Sequence, residues 1–124
     1  MKIIISNTAD SPLYQQIEEQ IKDAILKGDL VEGDPLPSIR GFANDLNVSV
    51  LTIRRVYEEL EQEGFVTSQV GIGTFVSARN LDLLRDSKRR VVEQKMQDMI
   101  QTAKSLNITK EELNAMMDIL YEGD

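Results

Sequence analysis

Three arginines and two hydroxyls hold most of the chemistry this sequence can do. Arg40, Arg54 and Arg55 each carry a guanidinium, which meets a phosphate or a guanine edge with paired N–H donors. Ser49 and Thr52 carry hydroxyls that bond phosphate oxygens or base edges. This is the chemistry of recognition. The chain has no histidine and no cysteine, which removes the commonest general base, thiol nucleophiles, disulfides and the usual zinc sites. No nucleophile–base pair, metal cluster or phosphate loop stands out. Gly71-Ile72-Gly73 opens like a dinucleotide loop, but Val76 stands where the third glycine belongs. An enzyme is therefore not expected, and neither is a cofactor.

The elements that must position these side chains are legible in residues 36–64. Ser38 can cap a first helix that turns Ile39, Phe42, Ala43 and Leu46 inward. Asn47 tolerates the left-handed conformation of a short turn, and Val48 can pin that turn to the core. Ser49 is a good cap for a second helix with Ile53, Val56, Tyr57 and Leu60 on one face, ending at Gly64. Two helices with a tight turn form a helix-turn-helix, whose second helix lies in the DNA major groove. Its first turns present Ser49, Val50, Leu51, Thr52, Arg54 and Arg55 outward. An ordinary amphipathic helix pair with solvated arginines fits the same residues.

The next stretch separates the two readings. Phe65-Val66-Thr67-Ser68-Gln69-Val70 and Ile72-Gly73-Thr74-Phe75-Val76-Ser77 are rich in β-branched and aromatic residues, with Gly71 between them. That is a hairpin signature, and a hairpin directly after a recognition helix is a wing. Upstream, Ser11 and Pro12 are expected to open a helix as cap and first residue. Leu13, Ile17, Ile21, Ala24 and Ile25 form its apolar stripe, and Gly28 closes it. Ile3-Ile4-Ile5 reads as a short strand.

Residues from about 12 to 77 resemble the winged-helix DNA-binding domain of the GntR family of bacterial transcription regulators. The matching pieces are Pro12-Leu13-Tyr14-Gln15-Gln16-Ile17, Gly28-Asp29-Leu30 with Gly33, Leu36-Pro37-Ser38-Ile39-Arg40 and Leu46-Asn47-Val48-Ser49. Thr52-Ile53-Arg54-Arg55, Leu60-Glu61-Gln62-Glu63-Gly64 and Gly71-Ile72-Gly73-Thr74-Phe75-Val76 follow in order. The resemblance implies that Arg40, the segment from Ser49 to Arg54 and the wing tip around Gly71 touch double-stranded operator DNA; Ser38, Val50, Leu51, Thr52, Arg55, Gln69, Val70, Ile72 and Gly73 are expected there with them. Three positions depart from the pattern: Val50 stands where the family usually has a base, and Val70 and Ile72 leave the wing tip uncharged.

Beyond residue 78 the chain reads as helical to its end. Arg85, Lys88, Arg89 and Arg90 form a basic run, which either contacts DNA beside the wing or is a solvated face. Val92, Met96, Met99, Ala103 and Leu106 then recur at helix-packing spacing. Thr109-Lys110-Glu111-Glu112 is a capping box, and a last helix carries Leu113, Met116, Met117 and Leu120. Two such helices cannot bury much surface alone, so the expected partner is a second copy of the chain. The tail resembles, in length and pattern, that of the short-tailed YtrA-type branch of the family, which implies a dimer built by the tail. Four methionines there are read either as gap-fillers in a dimer seam or as a site for a small-molecule effector.

The expected architecture is mainly α with a small β-hairpin. It comprises a winged helix-turn-helix domain over residues 1–78 and a helical dimerisation tail over residues 79–124. The net charge of −7 runs against nucleic-acid binding at first sight. The acids of the second helix, however, fall late in it, at Glu58, Glu59, Glu61 and Glu63, away from its tip. No apolar run approaches membrane-spanning length, so a cytoplasmic protein without a membrane partner is expected. The expected function is sequence-specific DNA binding by a homodimeric regulator, a repressor. The alternative is a winged-helix module that binds protein and not DNA.

Overall fold

The computed structural model describes residues 1–8 and 10–123. Its elements are α1 (Leu13–Lys27), α2 (Ile39–Leu46), α3 (Val50–Gln62), β1 (Val66–Gln69), β2 (Gly73–Val76), α4 (Leu81–Ser105) and α5 (Lys110–Glu122). The strands pair antiparallel, with Val66 opposite Val76 and Gln69 opposite Gly73. The chain divides into two compact units, Met1–Arg85 and Asp86–Asp124.

The first unit closes one core. The stripe of α1 contributes Ile17, Ile21 and Ile25; α2 contributes Phe42 and Ala43; α3 contributes Ile53, Val56, Tyr57 and Leu60. The hairpin covers one side with Phe65, Val66 and Val76, and Leu84 from the opening turn of α4 joins them. The unit thus extends past residue 78 to Arg85. Asn80 ties that segment back by donating its side-chain amide to the Glu63 carbonyl at the end of α3. Gly64 beside it sits at φ +86, and a Cβ there would collide with the Asn80 amide.

Three local features differ from expectation. Ser11 does not cap α1. Pro12 takes the cap position with ψ 158, outside the helix, and it has no side-chain acceptor to offer. The Ser11 carbonyl instead accepts from the Gln16 amide at 2.9 Å. Residues 3–5 form no strand, because among the described residues no strand lies alongside to complete a ladder. Two glutamines one turn apart on α1 take that part. Gln20 accepts from the Ile4 N–H at 2.8 Å and donates to its carbonyl at 2.6 Å, and Gln16 does the same for Ser6 at 2.9 and 3.0 Å. Finally, the loop before α2 runs along the free edge of β2. Gly33 donates to Val76, Val76 to Asp34 and Leu36 to Thr74, at 2.8 to 2.9 Å.

In the second unit, Asn107 at φ 58 turns the chain between α4 and α5. Thr109 and Glu112 close the expected capping box on α5. No residue of α5 is buried.

Candidate nucleic-acid interface

The helix-turn-helix is held by caps and one buried phenol. The Ser38 hydroxyl accepts from the Gly41 N–H at 3.1 Å, and the Ser49 hydroxyl accepts from the Thr52 N–H at 3.1 Å. Asn47, between the helices, sits at φ 58 and ψ 44, the left-handed turn its position requires. Tyr57 on α3 stacks on Phe42 of α2 with ring centroids 6.2 Å apart and donates to the Pro37 carbonyl at 2.7 Å. That bond anchors the residue just before the α2 cap, and with it the start of the turn carrying Arg40. Burial pushes the Tyr57 phenol well above its ordinary range, so it stays a donor.

The side chains at the α3 tip have different surroundings. Arg54 and, on α2, Arg40 are exposed. Leu51 is 70% exposed although it is a large aliphatic residue. Val50 is half-buried against the core, because a spacing of three and seven places it over Ile53 and Tyr57. The Ser49 and Thr52 hydroxyls bond each other at 2.9 Å. Arg55 is exposed as expected, but its side chain is engaged within the chain. Its guanidinium lies 3.6 Å from the Tyr14 ring centroid, and its Nε donates to Glu59 at 3.2 Å. A cation held by an aromatic face and a carboxylate has less to give a phosphate. The wing tip residues Gln69, Val70, Gly71, Ile72 and Gly73 are all exposed, with Gly71 at φ +76 in the turn.

Behind this face α1 packs against α3, and the contact includes a polar seam that the apolar pattern does not announce. Glu18 is only 6% exposed, and its Oε1 is buried with no hydrogen-bond partner among the described residues. Burial, then the hydrogen bond and charge of Glu59, push its carboxyl up to about 8; Lys22 opposes this weakly and Glu63 adds to it. Glu59 is held below the usual carboxylate range, first by the hydrogen bond from Glu18 and also by Arg55. The Glu18 carboxyl thus stays protonated at neutral pH beside Glu59. Lys22 closes the same seam with Glu63 at 2.6 Å. The signal was present: Tyr14 lies three and seven residues before Ile17 and Ile21, and Glu18 three and seven before Ile21 and Ile25, on the inner side of the α1 stripe.

Of the residues expected to dimerise, Val92, Met96, Met99, Leu106, Met116, Met117 and Leu120 are exposed, and Leu113 is half-buried. Ala103 differs: it is 4% exposed, covered within its own chain at the α4–α5 turn, where its carbonyl accepts from Ile108 at 2.9 Å. It therefore offers no surface to a partner. Ile100 and Ile119, outside the expected seam, are exposed with the others. A groove of about 310 Å³ runs between the two helices, lined by Met96, Met99, Ile100, Leu113 and Met117 among others. In the basic run, Arg85, Arg89 and Arg90 are exposed while Lys88 is half-buried. No described helix is long and apolar enough to cross a membrane.

Residues 13–76 match the model of the bacterial regulatory proteins of the gntR family. The chain is 31% identical to the HTH-type transcriptional repressor YtrA of Bacillus subtilis (strain 168), over 90% of this chain and 86% of that protein. The match therefore includes the helical tail. A solved GntR family transcriptional regulator from Listeria monocytogenes aligns with TM-score 0.72 and 28% identity, over 92% of this chain and 97% of that one. AraR(DBD), solved in complex with operator ORX1, aligns with TM-score 0.55 and 26% identity, over 62% of this chain and 96% of that one. These relatives are regulators, not enzymes, and the last is bound to operator DNA, which favours DNA over a protein as the partner of the winged helix. The chain belongs to the gntR family of bacterial regulatory proteins, as a DNA-binding transcription regulator of the YtrA type.

Proposed function

We propose that the chain is a cytoplasmic repressor that binds an inverted-repeat operator as a homodimer. The winged helix of residues 1–78 supplies the DNA contacts and the tail of residues 79–124 the dimer. Arg40 and Arg54 carry the charge contacts from the helix-turn-helix, with Ser38, Ser49, Leu51 and Thr52 beside them. The backbone and side chains of Gln69, Val70, Gly71, Ile72 and Gly73 follow as the wing. Half-buried Val50 and exposed Arg55, held by Tyr14 and Glu59, complete the helix tip.

The observation that carries the dimer is the open aliphatic face of the second unit. Val92, Met96, Met99, Leu106, Met116, Met117 and Leu120 are all exposed together. Apolar surface on this scale marks an interaction site in a soluble protein, and a second copy offers a matching face. The methionine-lined groove would also take a small hydrophobic effector, since its volume reaches the lower end of ordinary ligand pockets. Gap-filling between subunits accounts for it without one, and that is the reading we prefer.

Sedimentation of the full chain, with gel-shift titration on an operator selected from random duplexes, tests this function. The expected result is a dimer that binds the paired half-sites and binds one half-site far more weakly. A monomer binding the full operator and a single half-site equally would overturn it.

A further inference from the structure

We propose that Leu51 is a base-reading residue of this regulator, and that it selects thymine through the 5-methyl group. The inference rests on α3 being the DNA-facing helix. At the tip of α3, most of the obvious readers are already engaged. Val50 packs on the core, Arg55 lies against Tyr14 and Glu59, and the Ser49 and Thr52 hydroxyls bond each other. Two side chains of the first turns remain exposed without such partners: Arg54 and Leu51. Arg54 suits a phosphate or a guanine.

Leu51 has no hydrogen bond to give, so it cannot read a donor–acceptor pattern. Apolar contact in the major groove is offered by one group, the thymine methyl. An aliphatic residue 70% exposed at the second position of the helix is placed for that group. The contact would be dry and uncharged. It would therefore supply sequence preference without adding to the salt dependence that phosphate contacts bring.

The test uses the full chain and an operator selected from random duplex DNA. Each thymidine of one half-site is replaced in turn by deoxyuridine, which removes the methyl and leaves the pairing edge intact. Burying one methyl-sized group corresponds to about fourfold in affinity. Wild type should lose about that factor at one or two positions, and Leu51→Ala should show no loss at those positions. Thermal melting should confirm that the variant folds, as expected for an exposed side chain. Deoxyuridine that is neutral throughout, an equal loss in Leu51→Ala, or a half-site without thymine beneath α3 would each overturn the inference. Arg54→Ala on the same duplexes separates the two levels. If it weakens binding while deoxyuridine does nothing, only the methyl reading fails. If it also does nothing, the assignment of α3 to DNA fails as well.

Discussion

Ile17, Ile21, Ile53, Val56 and Leu60 of the first unit are shut off from solvent, whereas Val92, Met96, Met99 and Leu106 of the second stand open. Both sets recur at helical spacings of three and four. The difference lies in what each stripe meets. In the first unit α1, α2, α3 and the hairpin converge, so every stripe finds another. In the second, Ala103 is covered at the α4–α5 turn and Leu113 is half-buried, while most of the remaining apolar side chains stay exposed. A hydrophobic stripe thus states that a face must be covered, and says nothing about whether its own chain covers it.

The contrast can be broken at its strongest point first. Leu60→Ala leaves a cavity in a core without slack and should cost about 2–5 kcal/mol, read as a lower urea midpoint. Met99→Ala on the open face should cost far less in the same measurement made on dilute protein. Equal losses would mean that the second unit is packed like the first.

Met99→Lys and Leu106→Asp probe the open face more directly, by placing a charge where a partner should sit. Both should sediment as monomers while the first unit melts normally. Loss of the linked second site should weaken operator binding by about a hundredfold or more. A variant that is monomeric yet binds the full operator like wild type would detach the two units functionally.

Arg54→Ala and Arg40→Ala should weaken operator binding by about 1–3 kcal/mol each, with melting unchanged because both residues are exposed. Arg55→Ala should cost less binding, since Tyr14 and Glu59 already occupy that side chain. A reversed order would move the DNA face round the helix.

The smallest effect concerns the acid inside the first unit. Folded, Glu18 keeps its proton up to about pH 8; unfolded, it releases it near 4.5. Between those values the folded chain binds more protons, so the Glu18 contribution falls as pH rises across that window. Glu59, with its carboxyl held low, works in the opposite direction: its contribution is present above the ordinary range and lost as pH falls below it. Glu18→Gln keeps the size and polarity of the side chain without the ionisation. It should gain on the order of 1 kcal/mol relative to wild type at pH 8 and nothing near pH 5, in urea unfolding at the two values. Parallel curves would show that Glu18 is not a buried acid.

Much of this was readable in the residues. The caps Ser38, Ser49 and Thr109, the turn at Asn47, the hairpin around Gly71 and the inner faces of α1, α2 and α3 follow from local rules. A cap needs a hydroxyl three residues before an N–H, a left-handed turn needs asparagine or glycine, and a buried face needs apolar residues at helical spacing. Those requirements act within a turn or two of chain, so the sequence determined them by itself. Tertiary structure decided what depends on neighbours distant in sequence. It turned Arg55 onto Tyr14 and set Glu18 against Glu59. It clamped residues 4 and 6 with glutamines from α1 and drew Leu84 into the first core. A guanidinium, a carboxyl or a leucine can each meet water or protein at similar local cost. Only the assembled surface around it determines which.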